Sequence, residues 1–247
     1  MSGVASVFDE AEITRDTLLR GRVKLLQPRS GYRSSLDPVL LAAFIAPPLG
    51  RFLDIGCGNG ALSFLLLARD AAATGVGVEI QPRLAEFAEQ GRIDNGWESR
   101  LRILTMDVRR KDAVEEHAFD LVATNPPFRP LGTGQLPPLS EKALAHHEVT
   151  LALAEWLDVA LRALRPEGRL ATIFPFDRKE ELRAGLTTRG FSVVRSRLVV
   201  PREGGIPGRV LIEARRGGGE DHVEPALVVH DSDGYASEVR IMLGENE

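Results

Sequence analysis

Four consecutive residues, Asn125, Pro126, Pro127 and Phe128, carry groups suited to chemistry on a planar amine. The two prolines stiffen the backbone and remove hydrogen-bond donors. The side-chain oxygen of Asn125 and the carbonyl of Pro126 can then converge on one NH2 group of a conjugated ring or an amide. Accepting both hydrogens directs the nitrogen lone pair at a methyl donor, so positioning supplies most of the rate. Phe128 can stack on an acceptor base, which is worth about 1–3 kcal/mol.

A glycine-rich turn, DIGCGNG, occupies residues 54–60. Gly56 and Gly58 allow a ligand to approach where a Cβ would collide, and Gly60 allows a helix to start close to a sheet. The spacing is GxGxG rather than GxGxxG, and Asp54 lies two residues before the first glycine. A pyrophosphate favours helix N–H groups without a nearby anion, whereas S-adenosylmethionine carries a sulfonium, an ammonium and no phosphate. The turn therefore favours S-adenosylmethionine over a dinucleotide as the cofactor, and it favours a cofactor site over a purely structural turn.

Acidic residues follow the next two predicted strands. Glu79 lies where an acid would hydrogen-bond both ribose hydroxyls of an adenosine. Asp107 is a candidate acceptor for the adenine amine, with Val108 against the adenine face; the alternative for Asp107 is a solvated loop residue. The predicted cofactor contacts near the sheet are Asp54, Gly56, Gly58, Asn59, Gly60, Glu79, Ile80, Asp107, Val108 and Asn125.

An alternation of strands and helices over residues 51–216 must bring these groups together. The predicted strands are Arg51–Ile55, Thr74–Ile80, Leu101–Thr105, Phe119–Asn125, Arg169–Phe174, Ser192–Val200 and Arg209–Ala214. The predicted helices between them are Ala61–Asp70, Pro82–Arg92, Glu148–Arg165 and Lys179–Thr188. Near-continuous apolar strands separated by helices indicate a parallel sheet with helices on both faces.

The expected fold class is α/β and Rossmann-like, with a seven-stranded, mostly parallel sheet. Its last two strands are joined only by the loop PREGGIPG and should form an antiparallel pair. Asn125 then follows the fourth strand at the carboxyl edge of the sheet, where such folds bind ligands. On its own, the Asn125–Phe128 segment is equally consistent with a rigid loop, and this position favours the chemical role.

Short connections favour a single domain over residues 1–247. Residues 1–46 form an appendage with a helix at Pro38–Ile45, capped by Asp37. Residues 47–216 form the core, and residues 217–247 are a carboxyl-terminal extension.

The composition excludes several protein classes. Of 247 residues, 43% are hydrophobic and 27% charged, which is ordinary for a globular chain and excludes disordered, collagenous and coiled-coil proteins. One cysteine and five histidines show no zinc spacing, so no metal is expected. There is no leader-like start and no apolar segment of the roughly 20 residues that a membrane span needs. We therefore expect a cytoplasmic protein without membrane contact.

The net charge of −4 conceals two basic segments. Residues 15–33 contain six basic residues and one acidic residue, and residues 178–216 contain ten and four. Such segregation can form a local basic face for RNA; the alternative is arginines that only solvate strand ends and helix faces. The candidate RNA-binding residues are Arg20, Arg22, Lys24, Arg202 and Arg209.

Together, the DxGxGxG turn, the acid after the second strand and NPPF resemble class I methyltransferases of the amine-methylating NPPY/F type over roughly residues 30–216. The segment TRDTLLRGRVKLLQPRSGYRSSLDPVLLAAF, the HE at residues 147–148 with LALAEWL, and the strand VLIEARR resemble bacterial tRNA (adenine-N(6))-methyltransferases that act on valine tRNA. That resemblance implies tRNA as partner and places Gln27, Tyr32, Arg33 and Asp37 in the segment that closes over the methionine end of the cofactor.

Other acceptors and one other class stay open at this point. The same chemistry serves guanine 2-amino groups in ribosomal RNA and glutamine amides in proteins, and a small-molecule amine is possible. The basic segments favour RNA, because a phosphate backbone rewards cations. The different class is a non-catalytic nucleic-acid-binding module that retains the cofactor fold; the intact turn, Glu79 and Asn125 argue against it.

Overall fold

The computed structural model describes residues 9, 11–30, 33–126 and 151–245, and a nine-stranded sheet lies at its centre. The strands are β1 (Ile13–Leu18), β2 (Val23–Pro28), β3 (Arg51–Ile55), β4 (Thr74–Glu79), β5 (Leu101–Thr105), β6 (Phe119–Thr124), β7 (Leu164–Pro175), β8 (Phe191–Arg202), β9 (Arg209–Arg216), β10 (His222–Asp231) and β11 (Gly234–Tyr235). The helices are α1 (Asp37–Phe44), α2 (Ala61–Arg69), α3 (Pro82–Asp94), α4 (Leu153–Ala163), α5 (Lys179–Thr188) and α6 (Ser237–Met242).

The order of the central sheet is β11-β10-β8-β9-β7-β6-β3-β4-β5. Strands β3 to β8 and β10 run in one direction, and β9 is antiparallel to both β7 and β8. The predicted Rossmann-like fold and the antiparallel pair at its end are confirmed. The count of seven strands is too low, because the carboxyl-terminal extension adds β10 and β11 at the edge beside β8.

Two apolar clusters cover the two faces of the sheet. One packs α1 and α2 against it through residues such as Leu41, Phe52 and Phe64. The other packs α4 and α5 through residues such as Trp156 and Leu186. Helices cover both faces of the sheet and leave the ends of the strands open, so a ligand binds at the strand ends.

The amino-terminal appendage contains a two-stranded hairpin, β1–β2, that the sequence did not predict. Ile13 and Leu26 of the hairpin pack on Leu84 and Phe87 of α3. The side chain of Asn95 exchanges two hydrogen bonds with the backbone of Lys24, each 2.8 Å long. The hairpin is therefore fixed along the length of α3, from the carboxyl edge to the amino edge of the sheet.

Two predicted helix ends are wrong. Helix α1 begins at Asp37, which makes no capping hydrogen bond and instead pairs with Arg209 at 3.1 Å. The predicted helix end at Arg165 is replaced by the start of β7 at Leu164, which pairs with Phe119 of β6. Backbone pairing with a neighbouring strand outweighs the local helical pattern there. The predicted start of that helix, at residue 148, lies outside the described residues.

Candidate functional site

Four strand ends meet at the carboxyl edge of the sheet. The glycine turn follows β3, Glu79 ends β4, Asp107 follows β5 by two residues, and Asn125 follows β6 directly. Because these strands are parallel and adjacent, their ends form one continuous row. The structure thus brings the predicted cofactor turn, both acids and the acceptor asparagine to the same crevice.

The glycine turn is held against β4 and is open above its first glycine. The backbone N–H groups of Gly56 and Cys57 both donate to the carbonyl of Val78, at 2.9 and 3.1 Å. Gly56 has φ +69°, and a Cβ built on it would meet no heavy atom within 4 Å. A Cβ on Gly60 would lie 2.6 Å from the ring of Phe64. The first glycine therefore leaves room for a ligand, and the last permits helix packing.

The carboxylate of Glu79 is fixed by two backbone N–H groups. Its carboxylate is buried, with 5% of the residue exposed. Oε2 accepts a hydrogen bond from the N–H of Gly58 and Oε1 one from the N–H of Gln81, each at 2.9 Å. A carboxylate offers about four acceptor positions. Each oxygen of Glu79 can therefore still accept one hydrogen bond from a hydroxyl group. This arrangement fits the two adjacent hydroxyls of a ribose.

Asp54 is a buried acid below the glycine turn. The hydroxyl of Ser63 donates to its Oδ2 at 2.7 Å. Burial raises the pKa of Asp54 to about 7; the negative charge of Glu79 adds to the rise, and the hydrogen bond from Ser63 opposes it. Two carboxyl groups close to an open crevice favour a cationic ligand over a pyrophosphate. The chemistry of this donor set therefore fits the positively charged end of S-adenosylmethionine.

The side chain of Asn59, a predicted cofactor contact, bonds to the hairpin. Its side chain is 1% exposed, and Nδ2 donates to the backbone carbonyl of Leu26 at 3.0 Å. The next hairpin residue, Gln27, accepts from the N–H of Ser34 at 2.7 Å and donates to Asp16 at 2.8 Å. The asparagine side chain therefore joins the hairpin to the glycine turn.

The segment predicted to close over the cofactor is tied to the hairpin and to β9. The Arg33 guanidinium pairs with Asp16 at 2.9 Å and donates to the carbonyl of Pro28 at 3.1 Å. Asp37 accepts from Arg209. Both side chains are thus held by protein partners, and Tyr32 lies outside the described residues.

Asp107 is held by the residue two positions later. The Arg109 guanidinium donates to both carboxylate oxygens, at 2.6 to 2.9 Å, and also reaches Glu155 at 3.2 Å. These hydrogen bonds hold the pKa of Asp107 below its usual value. Its neighbour Val108 is buried in the core, and Ile80 is half-buried. Asp107 is therefore a fixed anion at the rim of the crevice.

Asn125 carries a buried acceptor atom. Its Oδ1 has no hydrogen-bond partner within the described part of the chain. Buried polar atoms are almost always paired, so this oxygen fits a donor supplied from outside, such as an amine. Pro126 is buried beside it. The predicted roles of Pro127 and Phe128 fall on residues outside those described.

Two buried threonines hold the end of β6, and the sequence did not single them out. The hydroxyl of Thr124 donates to the carbonyl of Ile55 at 2.9 Å, and that of Thr172 donates to the carbonyl of Thr124 at 3.0 Å. The sequence signal for Thr124 is a hydroxyl side chain at the end of a mostly apolar strand, and Thr172 is an internal residue of β7 with no such signal. Thr124 immediately precedes Asn125, so these bonds fix the backbone that carries the acceptor.

The predicted RNA-binding residues separate into two groups. Arg20, Arg22 and Lys24 lie around the hairpin turn, near the end of α3 and far from the crevice, where Lys24 donates to the carbonyl of Asp94 at 3.0 Å. Arg202 and Arg209 end β8 and begin β9, at the carboxyl edge.

Many cations of the two basic segments pair with acids elsewhere in the chain, so they do not form one continuous basic face. These pairs include Arg15–Asp94, Arg183–Asp221, Arg189–Asp158, Arg195–Glu224 and Arg197–Glu238.

Within residues 11–30, 33–126 and 151–245, no group of three or more His, Cys, Asp or Glu residues is arranged to hold a metal ion. None of the helices in those ranges has the length and apolar composition that a bilayer span requires.

Comparisons with known proteins agree with this geometry. Residues 37–182 match the family called methyltransferase small domain. A protein from Porphyromonas gingivalis named tRNA1(Val) (adenine(37)-N6)-methyltransferase is 32% identical over 91% of this chain and 91% of its own. A protein of the same name from Tolumonas auensis is 30% identical over 86% of this chain and 88% of its own. The crystal structure of a predicted O-methyltransferase from Agrobacterium tumefaciens has the same fold, with a TM-score of 0.68 and 23% identity over 85% of this chain and 98% of its own.

Proposed function

Because the chain belongs to the methyltransferase small domain family, we propose that it methylates the 6-amino group of an adenine in tRNA. The protein is a methyltransferase that uses S-adenosylmethionine. The choice of acceptor rests on relatives at about 30% identity whose printed names specify adenine 37 of a valine tRNA. A tRNA acceptor would place the activity in the cytoplasm.

The cofactor site is assigned to the row of strand ends. Glu79 accepts the ribose hydroxyls, the space above Gly56 takes the ligand that a Cβ would exclude, and Asp54 lies below the cationic end. When bound there, S-adenosylmethionine supplies an electrophilic methyl group on a sulfonium. Asp107 at the rim is assigned to the adenine amine of the cofactor, with its carboxylate already oriented by Arg109.

The acceptor site is assigned to Asn125 and Pro126. Asn125 Oδ1 and the carbonyl of Pro126 accept the two hydrogens of the target amine, which aims the nitrogen lone pair at the methyl group. The new N–C bond forms as the S–C bond breaks, and the amine then loses one proton to solvent. No side chain has to form a covalent bond, so the protein contributes position and orientation.

One observation carries this proposal: Oδ1 of Asn125 is buried, has no hydrogen-bond partner among residues 11–30, 33–126 and 151–245, and lies one residue after the strand that adjoins the glycine turn. An unsatisfied buried acceptor costs about 1–3 kcal/mol, and a substrate N–H offsets that cost only when substrate is bound.

The experiment is a transfer assay with labelled S-adenosylmethionine. The acceptors are total tRNA, ribosomal RNA and a protein extract, each from cells that lack this gene. We expect label in tRNA, recovered after digestion as N(6)-methyladenosine. Label only in ribosomal RNA or protein would retain the Asn125 chemistry and reject the tRNA acceptor, and no label in any fraction would reject all three.

A further inference from the structure

Asn59 of the glycine turn makes a buried polar contact with the hairpin. The residue is 1% exposed, and its Nδ2 donates to the carbonyl of Leu26 at 3.0 Å. Apolar packing already docks the hairpin, because Leu25 belongs to the cluster that packs α1 and α2 on the sheet and Leu26 lies in a cluster with Phe87 of α3. A satisfied buried polar contact specifies one arrangement of the groups that it joins. The Asn59 bond therefore fixes how the glycine turn lies against the hairpin.

The backbone around Asn59 depends on such contacts for its orientation. Gly58 and Gly60 flank it, and both are left-handed, with φ of +57° and +86°. Glycine has weak conformational preferences, so the peptide planes beside Asn59 are not fixed by the backbone alone. The first half of the turn is held by β4, where two N–H groups of the turn donate to the carbonyl of Val78. The Asn59 side chain holds the second half from the side of the hairpin.

This second half of the turn contacts the carboxylate of Glu79. The N–H of Gly58 donates to Oε2 of Glu79 at 2.9 Å, and Gly58 directly precedes Asn59 in the chain. A shift of Asn59 therefore turns this N–H away from the carboxylate, and a hydrogen bond weakens steeply as its angle falls toward about 120°. A series of contacts thus runs from the carbonyl of Leu26 through Asn59 and Gly58 to the group assigned to the ribose hydroxyls.

We propose that the Asn59 side chain is a positioning group for the cofactor site, which makes the hairpin a working part of that site. Through its bond to Leu26, Asn59 holds Gly58, and through Gly58 it holds Glu79, in the geometry that accepts the ribose. The inference rests on the cofactor site assigned above and does not require a tRNA acceptor. Coupling of this kind is reciprocal. If the docked hairpin favours cofactor binding, a bound cofactor must favour the docked hairpin by the same factor.

Asn95 offers a matched control, because it ties the hairpin at its opposite end. Its Oδ1 accepts from the N–H of Lys24 and its Nδ2 donates to the carbonyl of Lys24, each at 2.8 Å. The same Nδ2 also donates to the carbonyl of Gly91 at 2.7 Å. Among the described residues, Asn95→Ala thus removes more hydrogen bonds than the one from Asn59 to Leu26. We expect it to lower the free energy of unfolding at least as much as Asn59→Ala does, without touching the glycine turn.

The first measurement is the Kd for S-adenosylmethionine by calorimetry, with chemical denaturation of the same preparations. We expect Asn59→Ala to raise the Kd about tenfold, the effect of one hydrogen bond, and Asn95→Ala to leave it unchanged. If Asn59 served stability alone, the Kd would follow the free energy of unfolding and rise at least as much in Asn95→Ala. A wild-type Kd in Asn59→Ala would overturn the inference. If Gly56→Ala also kept the wild-type Kd, the assigned cofactor site would fail as well.

The second measurement is amide hydrogen exchange with and without saturating S-adenosylmethionine. In the wild type and in Asn95→Ala, the cofactor should slow exchange both in the glycine turn and in β2. In Asn59→Ala it should slow exchange in the glycine turn but no longer in β2. Protection of β2 that survives in Asn59→Ala would overturn the inference, because the cofactor would then act on the hairpin by another route. Absence of β2 protection in the wild type would overturn it too, even if Asn59→Ala failed to fold.

Discussion

The hydroxyl of Thr124 donates a hydrogen bond to the carbonyl of Ile55, with 2.9 Å between the two oxygens. Thr124 is the last residue before Asn125, and Ile55 is the last residue before Gly56. One buried side chain therefore joins the strand end that carries the acceptor amide to the strand end that carries the cofactor turn. Their relative position is set by this bond as well as by the pairing of β3 with β6.

Replacing Thr124 by valine should slow methyl transfer, because it removes a bond that positions Asn125 relative to the glycine turn. The two side chains have nearly the same shape, but valine lacks the donor. We expect kcat for methyl transfer to fall about tenfold, because small errors of position are costly for an in-line transfer. The free energy of unfolding should fall by about 1–3 kcal/mol with the loss of a buried hydrogen bond. Single-turnover kinetics and chemical denaturation measure the two effects.

Thr124→Ser is the matched control, since it keeps the hydroxyl. It should retain most of kcat even if it loses some stability. A Thr124→Val protein with wild-type kcat would show that β3 and β6 hold the two sites without this bond.

Gly56→Ala should reduce the affinity for the cofactor more than it reduces the free energy of unfolding. A left-handed residue with a Cβ costs about 1–2 kcal/mol, and at Gly56 that Cβ enters the open space above the turn. We expect the Kd for S-adenosylmethionine to rise more than tenfold, as measured by calorimetry. Gly96→Ala is the control, because Gly96 has nearly the same φ of +71° and also has free space around its Cβ position. Equal affinities in the two variants would place the cofactor elsewhere.

Cofactor affinity should depend on pH through Asp54. Its pKa of about 7 means that the carboxyl is neutral below pH 7 in the free protein. A cationic ligand favours the ionised form, so binding releases a proton. The affinity for S-adenosylmethionine should therefore rise as the pH increases from 6 toward 7 and level off above it. Asp54→Asn should remove this slope, and a slope that persists in Asp54→Asn would assign the titration to another group.

The core of the fold was predictable because its local signals agree with its tertiary contacts. Arg51–Ile55, Leu101–Thr105 and Lys179–Thr188 have the same bounds in the sequence prediction and in the structure. Strand β10 was missed because it pairs with β11 at only two residues, contains Pro225 and keeps several side chains exposed. A strand that is unpaired along most of one side has a weaker apolar pattern, so its sequence resembles a loop.

The site was predictable at the level of strand ends, and less so at the level of side-chain partners. The positions of Gly56, Glu79 and Asn125 follow from the order of strands. The partner of Asn59, the carbonyl of Leu26, comes from a hairpin 33 residues away in the chain. Likewise, the number of cations in the two basic segments does not reveal the acids of other elements that pair with those cations. Long-range contacts of this kind leave no periodic signal in a sequence.

The most direct test of the account compares the wild type with Asn125→Ala in two assays on the same preparations. The first measures the Kd for S-adenosylmethionine by calorimetry, and the second measures N(6)-methyladenosine formed in valine tRNA. We expect an almost unchanged Kd and a loss of turnover of at least a hundredfold, because the amide side chain accepts from the target amine. Turnover close to that of the wild type, or a loss explained by lost cofactor binding, would contradict it.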